Sequence, residues 1–139
     1  MRLLLTILLL IRLASSDEVM PIEIPLQGEA ADRSLEMSGL AWYGGYLILM
    51  PQYVNKKAPG FYFISKKKIN EWLDGDRSKA LKPGKIDLIV PDYDNAIGGY
   101  QGFEGLCFSG NKVYLLMESK NNGVMSSYIV TGTMDFKKK

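Results

Sequence analysis

The sequence predicts an all-β fold of antiparallel sheets with one short helix, arranged as two blade-like units. Three observations carry that expectation. Two pairs of short apolar runs, each folded about a glycine-bearing turn, read as β-hairpins: Ser38–Trp42 with Tyr46–Met50, and Gly105–Phe108 with Val113–Met117. The run Tyr46–Met50 is apolar at every position instead of alternating, which predicts a sheet buried on both faces. The two hairpins also match each other in their turn glycines and apolar positions.

Set with Ser38 against Glu104, the match pairs Gly39 with Gly105, Leu40 with Leu106, Ala41 with Cys107, Trp42 with Phe108 and Gly44 with Gly110. With one residue inserted in the second turn, it continues as Leu49 with Leu116 and Met50 with Met117. Repeated units of three or four short antiparallel strands, with non-alternating apolar strands, point to blades of a β-propeller, each stacked on both faces by its neighbours. Such a ring closes with roughly 4 to 8 blades. Two unstacked blades leave apolar faces in water, so the pattern predicts association.

The elements follow in order. Met1-Arg2, the apolar run Leu3–Ile11 and the small residues Ala14-Ser15-Ser16 have the pattern of a secretory signal peptide over residues 1–16, which predicts a secreted or periplasmic protein. The run is too short for the roughly 20 residues of a membrane span. Residues 17–34 form an arm in which Ile22, Ile24 and Leu26 alternate, with Pro21 and Pro25 restricting it to an edge strand or an extended segment. The first unit occupies residues 35–100. Its hairpin is followed by a polar loop, a β-rich strand at Phe61–Ile64, and a helix of one or two turns from Lys66 to Leu73 stopped by Gly75. Ile69, Trp72 and Leu73 share a face of that helix. A fourth strand is expected over Ile86–Val90, then an acidic loop with Asp92, Asp94 and Asn95. The second unit, 101–136, has its hairpin, a polar loop at Lys120–Gly123 and a strand around Tyr128–Thr131. A basic tail, 137–139, follows.

Composition narrows the chemistry. The 139 residues suggest one domain, and a net charge of +2 lacks the concentrated basic stripe that nucleic acid requires. There is no histidine, which removes histidine-based triads and histidine metal ligands. The single cysteine, Cys107, forms no internal disulfide or zinc cluster and reads as a small buried hydrophobe. No phosphate-binding glycine loop, nucleophile elbow or zinc spacing is present, so no catalytic residue is assigned.

The segments Ser38-Gly39-Leu40-Ala41-Trp42 and Gly102-Phe103-Glu104-Gly105-Leu106 resemble the blade-opening segments of the phytase-like propeller family, the one named for esterase-like activity of phytase. The similarity runs from Leu35 to about Thr131 and covers part of that family's length. Gluconolactonase-like and other six-bladed propellers open their blades in a similar way. The resemblance implies an exported propeller with a polar site at its central channel, calcium as the candidate cation, and phosphate or carboxylate esters as candidate substrates.

Glu104 stands at the entrance of an apolar strand, where a carboxylate offers oxygen to a hard cation such as Ca²⁺; a loop-bonded structural carboxylate is the competing reading. Glu118, expected to end the strand Val113–Met117, reads first as a surface charge and second as a partner of Glu104 on the same cation. Ser38 at the position matching Glu104 argues against a symmetric ring of metal ligands, and Glu36 lies two residues too early. The acidic loop lacks the glycine and glutamate of an EF-hand and reads as a solvated turn. Lys66-Lys67-Lys68 reads as solvated surface, and Trp42 and Phe108 as packing residues.

Three functions compete at this point. One is a propeller segment that binds a cation and acts on esters once completed, by three copies forming six blades or by another propeller chain. The second is a non-catalytic binding module using exposed blade edges. The third is a truncated propeller without independent activity.

Overall fold

The computed structural model describes residues 20–53, 60–89 and 100–136, with only the backbone of Tyr100 and Gln101. The leader, the acidic loop with Asp92, Asp94 and Asn95, and the lysine tail lie outside the described residues. The rest is a pair of antiparallel sheets with one α-helix, as the sequence predicts. Sheet 1 has the order β1 (Met37–Tyr43), β2 (Tyr46–Pro51), β3 (Gly60–Ser65) and β4 (Gly84–Asp87). Sheet 2 has the order β5 (Tyr100–Ser109), β6 (Lys112–Asn121) and β7 (Val124–Thr133). The helix, α1 (Lys66–Asp74), follows β3 directly, and the Ser65 side chain accepts a hydrogen bond from Lys68 N at its start. No helix among the described residues is long and apolar enough to cross a membrane.

Both hairpins turn in two residues, Gly44-Gly45 between paired Tyr43 and Tyr46, and Gly110-Asn111 between paired Ser109 and Lys112. The first residue of each has a positive φ, 54° at Gly44 and 60° at Gly110, which glycine adopts without a Cβ penalty. The register therefore differs from the sequence expectation: the second turn carries no insertion. A constant offset of 66 residues (Tyr43 to Ser109, Tyr46 to Lys112) relates the hairpins throughout, so Leu49 answers to Leu115 and Met50 to Leu116. Pairing identical apolar residues shifts the frame by one, and such a shift moves every side chain to the other face. The offset extends to an irregularity. The register shift between Met37 and Gly39, opposite Pro51 and Met50, recurs between Phe103 and Gly105, opposite Met117 and Leu116.

The sheets pack through one core formed by Ile48, Met50 and Phe61 from sheet 1 with Phe103, Val113, Leu115 and Met117 from sheet 2. The reverse face of sheet 1 is covered differently. Leu49, Tyr62 and Ile64 pack against Ile69 of α1, Ala30 of the arm and the partly buried Leu26 and Leu81. Tyr46–Met50 is thus enclosed largely as its composition predicts, but by a second sheet on one side and a helix and arm on the other. The arm forms no strand among the described residues and meets the fold through a parallel bridge between Leu26 and Leu81. Among the described residues, sheet 2 has no such cover on its outer face, where Leu116 and its strand partner Ile129 are exposed.

Two expectations about burial change. Cys107 is exposed, paired opposite Tyr114 on the uncovered face, rather than buried. Trp42 is half exposed on β1, with the Lys66 ammonium 5.9 Å from its ring centre, rather than fully packed.

Candidate functional site

The two recurring bulges lie at one end of the junction between the sheets and carry its polar groups. A bulge leaves one residue unpaired and re-aims its side chain. In β1 that residue is Ser38, whose hydroxyl donates to the Phe103 carbonyl at 2.6 Å. In β5 it is Glu104, whose carboxylate accepts from Gln52 Nε2 at 2.7 Å. The backbone closes the same junction: Phe103 N donates to the Gln52 carbonyl at 3.0 Å, and Gln52 N to the Glu36 carbonyl at 2.7 Å. Glu36 holds a left-handed conformation, φ 45°, as the chain enters β1.

Glu118 lies within β6, not at its end. The strand continues to Asn121, and Glu118 pairs with Gly102 on one side and Ser127 on the other. The apolar pattern stops at Met117, yet the ladder continues through Glu118 with Ser127, Ser119 with Ser126, Lys120 with Met125 and Asn121 with Val124. Gly102 is the point around which the groups gather. A Cβ there would stand 2.7 Å from Gln52 Cγ and 3.3 Å from Glu104 Oε1. Glu104, Gln52 and the strand position of Glu118 thus border one glycine, each offering side-chain oxygen of the kind calcium takes. Among the described residues, no three side chains of the histidine, cysteine, aspartate or glutamate types are grouped to hold a metal ion. Gln52 was not singled out from sequence. The offset of 66 that relates it to Glu118 is the signal that finds it.

The opposite end of the junction is aromatic. Phe136 stacks on Tyr46 at 4.7 Å and on Tyr43 at 5.7 Å, Phe108 lies 5.0 Å from Tyr43, and the Tyr43 hydroxyl donates to the Met134 carbonyl at 3.3 Å. This end anchors the chain after β7 to sheet 1.

Two further polar features lie elsewhere. An open hollow of about 460 Å³ beside the start of α1 is lined by Tyr46, Phe63, Ser65, Lys68, Lys82 and Gly84. Of the lysine run, Lys68 reaches this hollow, Lys66 lies over Trp42 and Lys67 pairs with Glu71 at 3.7 Å. On the arm, the Glu29 carboxylate accepts from Lys85 Nζ at 2.7 Å and from the Tyr62 hydroxyl at 3.3 Å. The Lys85 bond holds the Glu29 carboxyl below its ordinary range and raises Lys85, while burial raises the Tyr62 phenol.

No protein-family model matches the chain, and neither a curated protein nor a solved structure matches it.

Proposed function

We propose that this chain is an exported section of a phytase-like β-propeller, and that it acts in the completed ring by binding a hard divalent cation between Glu104 and Glu118 and polarising a phosphate or carboxylate ester. The observation that carries the reading is how equivalent faces meet. The face of sheet 1 that meets sheet 2 holds Ile48 and Met50, whose equivalents Tyr114 and Leu116 lie on the outer face of sheet 2. The face of sheet 2 that meets sheet 1 holds Val113 and Leu115, whose equivalents Leu47 and Leu49 lie on the reverse of sheet 1. Unlike faces meet, as in successive blades of a ring; a sandwich related by a two-fold axis would join like faces.

The cation chemistry draws its support from the carboxylates bordering Gly102. Ca²⁺ held there by oxygen ligands would act as a Lewis acid on an ester oxygen. The test is calcium titration by calorimetry on the full chain and on Glu104→Gln, alongside calcium-dependent hydrolysis of p-nitrophenyl phosphate and p-nitrophenyl acetate. Saturable binding weakened about tenfold or more in the variant is the expected result. Equal binding by parent and variant sinks the site assignment.

A second reading, a non-catalytic binding module, is favoured by the uncovered face of sheet 2 and by the open edge of β7, exposed along nearly its whole length. It predicts saturable association without hydrolysis in the same assays.

A further inference from the structure

We propose that copies of this chain associate head to tail, with Leu40 and Trp42 of one copy seated against Gly105 and Leu116 of the next. The contact already exists once inside the chain. A Cβ on Gly39 would stand 2.5 Å from Met50 Cε and 3.3 Å from Leu106 Cβ, so the bare glycine and the Met50 side chain form a socket into which Leu106 is pressed. Phe108, two residues along β5, packs beside it on the Tyr43 ring.

The offset of 66 reproduces both halves of this contact and, among the described residues, leaves both unfilled. The socket recurs as Gly105 and Leu116: a Cβ on Gly105 would meet only Leu116, at 3.3 Å from its Cβ. Met50 is 0% exposed and Leu116 41%. The neighbouring strand agrees. Phe61, one step beyond the Leu49–Tyr62 pair and so beside Met50, is 3% exposed, whereas Ile129, paired with Leu116, is 72% exposed. The knobs recur as Leu40, equivalent to Leu106, and Trp42, equivalent to Phe108. They project from the reverse of sheet 1 at 63% and 50% exposure. One chain therefore carries an unfilled socket on one sheet and the unburied knobs that fit it on the other, which identifies the occupant as a second copy.

The contact has a defined extent. The helix α1 and the arm already cover Leu49, Tyr62 and Ile64, so the copies meet along β1 of one and β5–β6 of the other. At the polar end, Glu118 takes the place of Gln52 and faces the next copy's bulge at Ser38, a hydroxyl within the chemistry of a carboxylate acceptor. A contact between unlike surfaces generates a ring if its rotation closes and a filament if it does not. Three copies in a ring would bring six sheets together.

This inference rests on the sheet equivalence that supports the propeller reading and is independent of the cation chemistry. The test is sedimentation velocity of the full chain across a concentration series, with Leu40→Glu and Leu116→Glu. The expected result is concentration-dependent association that each variant weakens about tenfold or more. Mixing the two variants should restore a species of two chains and nothing larger, because one intact knob and one intact socket remain. Thermal unfolding verifies that the variants fold; Cys107→Glu, on the same face of β5, replaces Leu116→Glu if that variant does not. A parent that stays monomeric, association that survives Leu40→Glu, a mixture that yields no pair, or binding only to a different protein each overturns the proposal. Calcium titration of the same samples separates the two readings: a monomer whose calcium binding still depends on Glu104 loses the docking and keeps the site.

Discussion

Sheet 1 and sheet 2 share a hairpin register, a two-residue turn and a bulge, yet they bury equivalent positions to different extents. The face of sheet 1 bearing Ile48, Met50 and Phe61 is closed by sheet 2, while its counterpart bearing Tyr114, Leu116 and Ile129 is open. The backbone pattern is therefore set locally by turn and strand residues, whereas burial is set by what stands opposite. The same side-chain type contributes very differently on the two sheets, since burying a large apolar side chain is worth about 1.5–3 kcal/mol and leaving it exposed nothing.

The largest expected effect comes from truncating equivalent positions. Phe61→Ala should lower unfolding stability by about 3–5 kcal/mol in denaturant titration. Ile129→Ala should change the monomer by no more than about 0.5 kcal/mol. Similar losses at both would mean that sheet 2 is covered in solution. The glycines sharpen the contrast. Gly39→Ala forces Met50 and Leu106 apart and should cost about 1–3 kcal/mol, the range for overpacking a filled core. Gly105→Ala meets only Leu116 and should cost less than half as much.

A chemical probe reads the faces without perturbing them. Cys107 should react with a maleimide in the native state, while a cysteine introduced by Ala41→Cys in a Cys107→Ser background, at a partly buried position opposite Ile48, should react several-fold more slowly. Slower reaction of Cys107 as protein concentration rises would report cover by another copy.

The smallest effect concerns the arm on the reverse of sheet 1. The Glu29 carboxyl lies below its ordinary range because of Lys85, so its contribution is fully present above the unfolded value and is lost as pH falls through the folded one. Lys85 lies above its ordinary value, so its contribution persists below that value and is lost as pH rises through the folded one. Glu29→Gln should therefore flatten the acid limb of the stability profile slightly. An unchanged limb would remove this pair from the account of how the arm is held.

Much of the scaffold was legible in the residues. Glycine at Gly44 and Gly110, apolar runs beside them, and Gly75 after a helical pattern are local signals, and local signals specify hairpins, strands and helix ends. The candidate site was legible in part. Glu104 draws notice as a carboxylate at an apolar strand entrance. Gln52 does not, because its role depends on the bond to Glu104 across the junction. Glu118 reads as a strand end because the apolar run stops at Met117, whereas backbone pairing with β7 carries β6 on through polar residues to Asn121.

What the sequence by itself determined is the type of element, the antiparallel hairpins and the correspondence of their first strands and turn glycines. Those follow from backbone preference and alternation, which act over a few residues. What only the tertiary structure decided is which faces are closed. Nothing in the residue types distinguishes Met50, enclosed by sheet 2, from Leu116, facing outward, or shows that helix and arm cover the reverse of sheet 1 while Leu40 and Trp42 stay exposed. Burial is a property of pairs of surfaces, and a strand records only its own half.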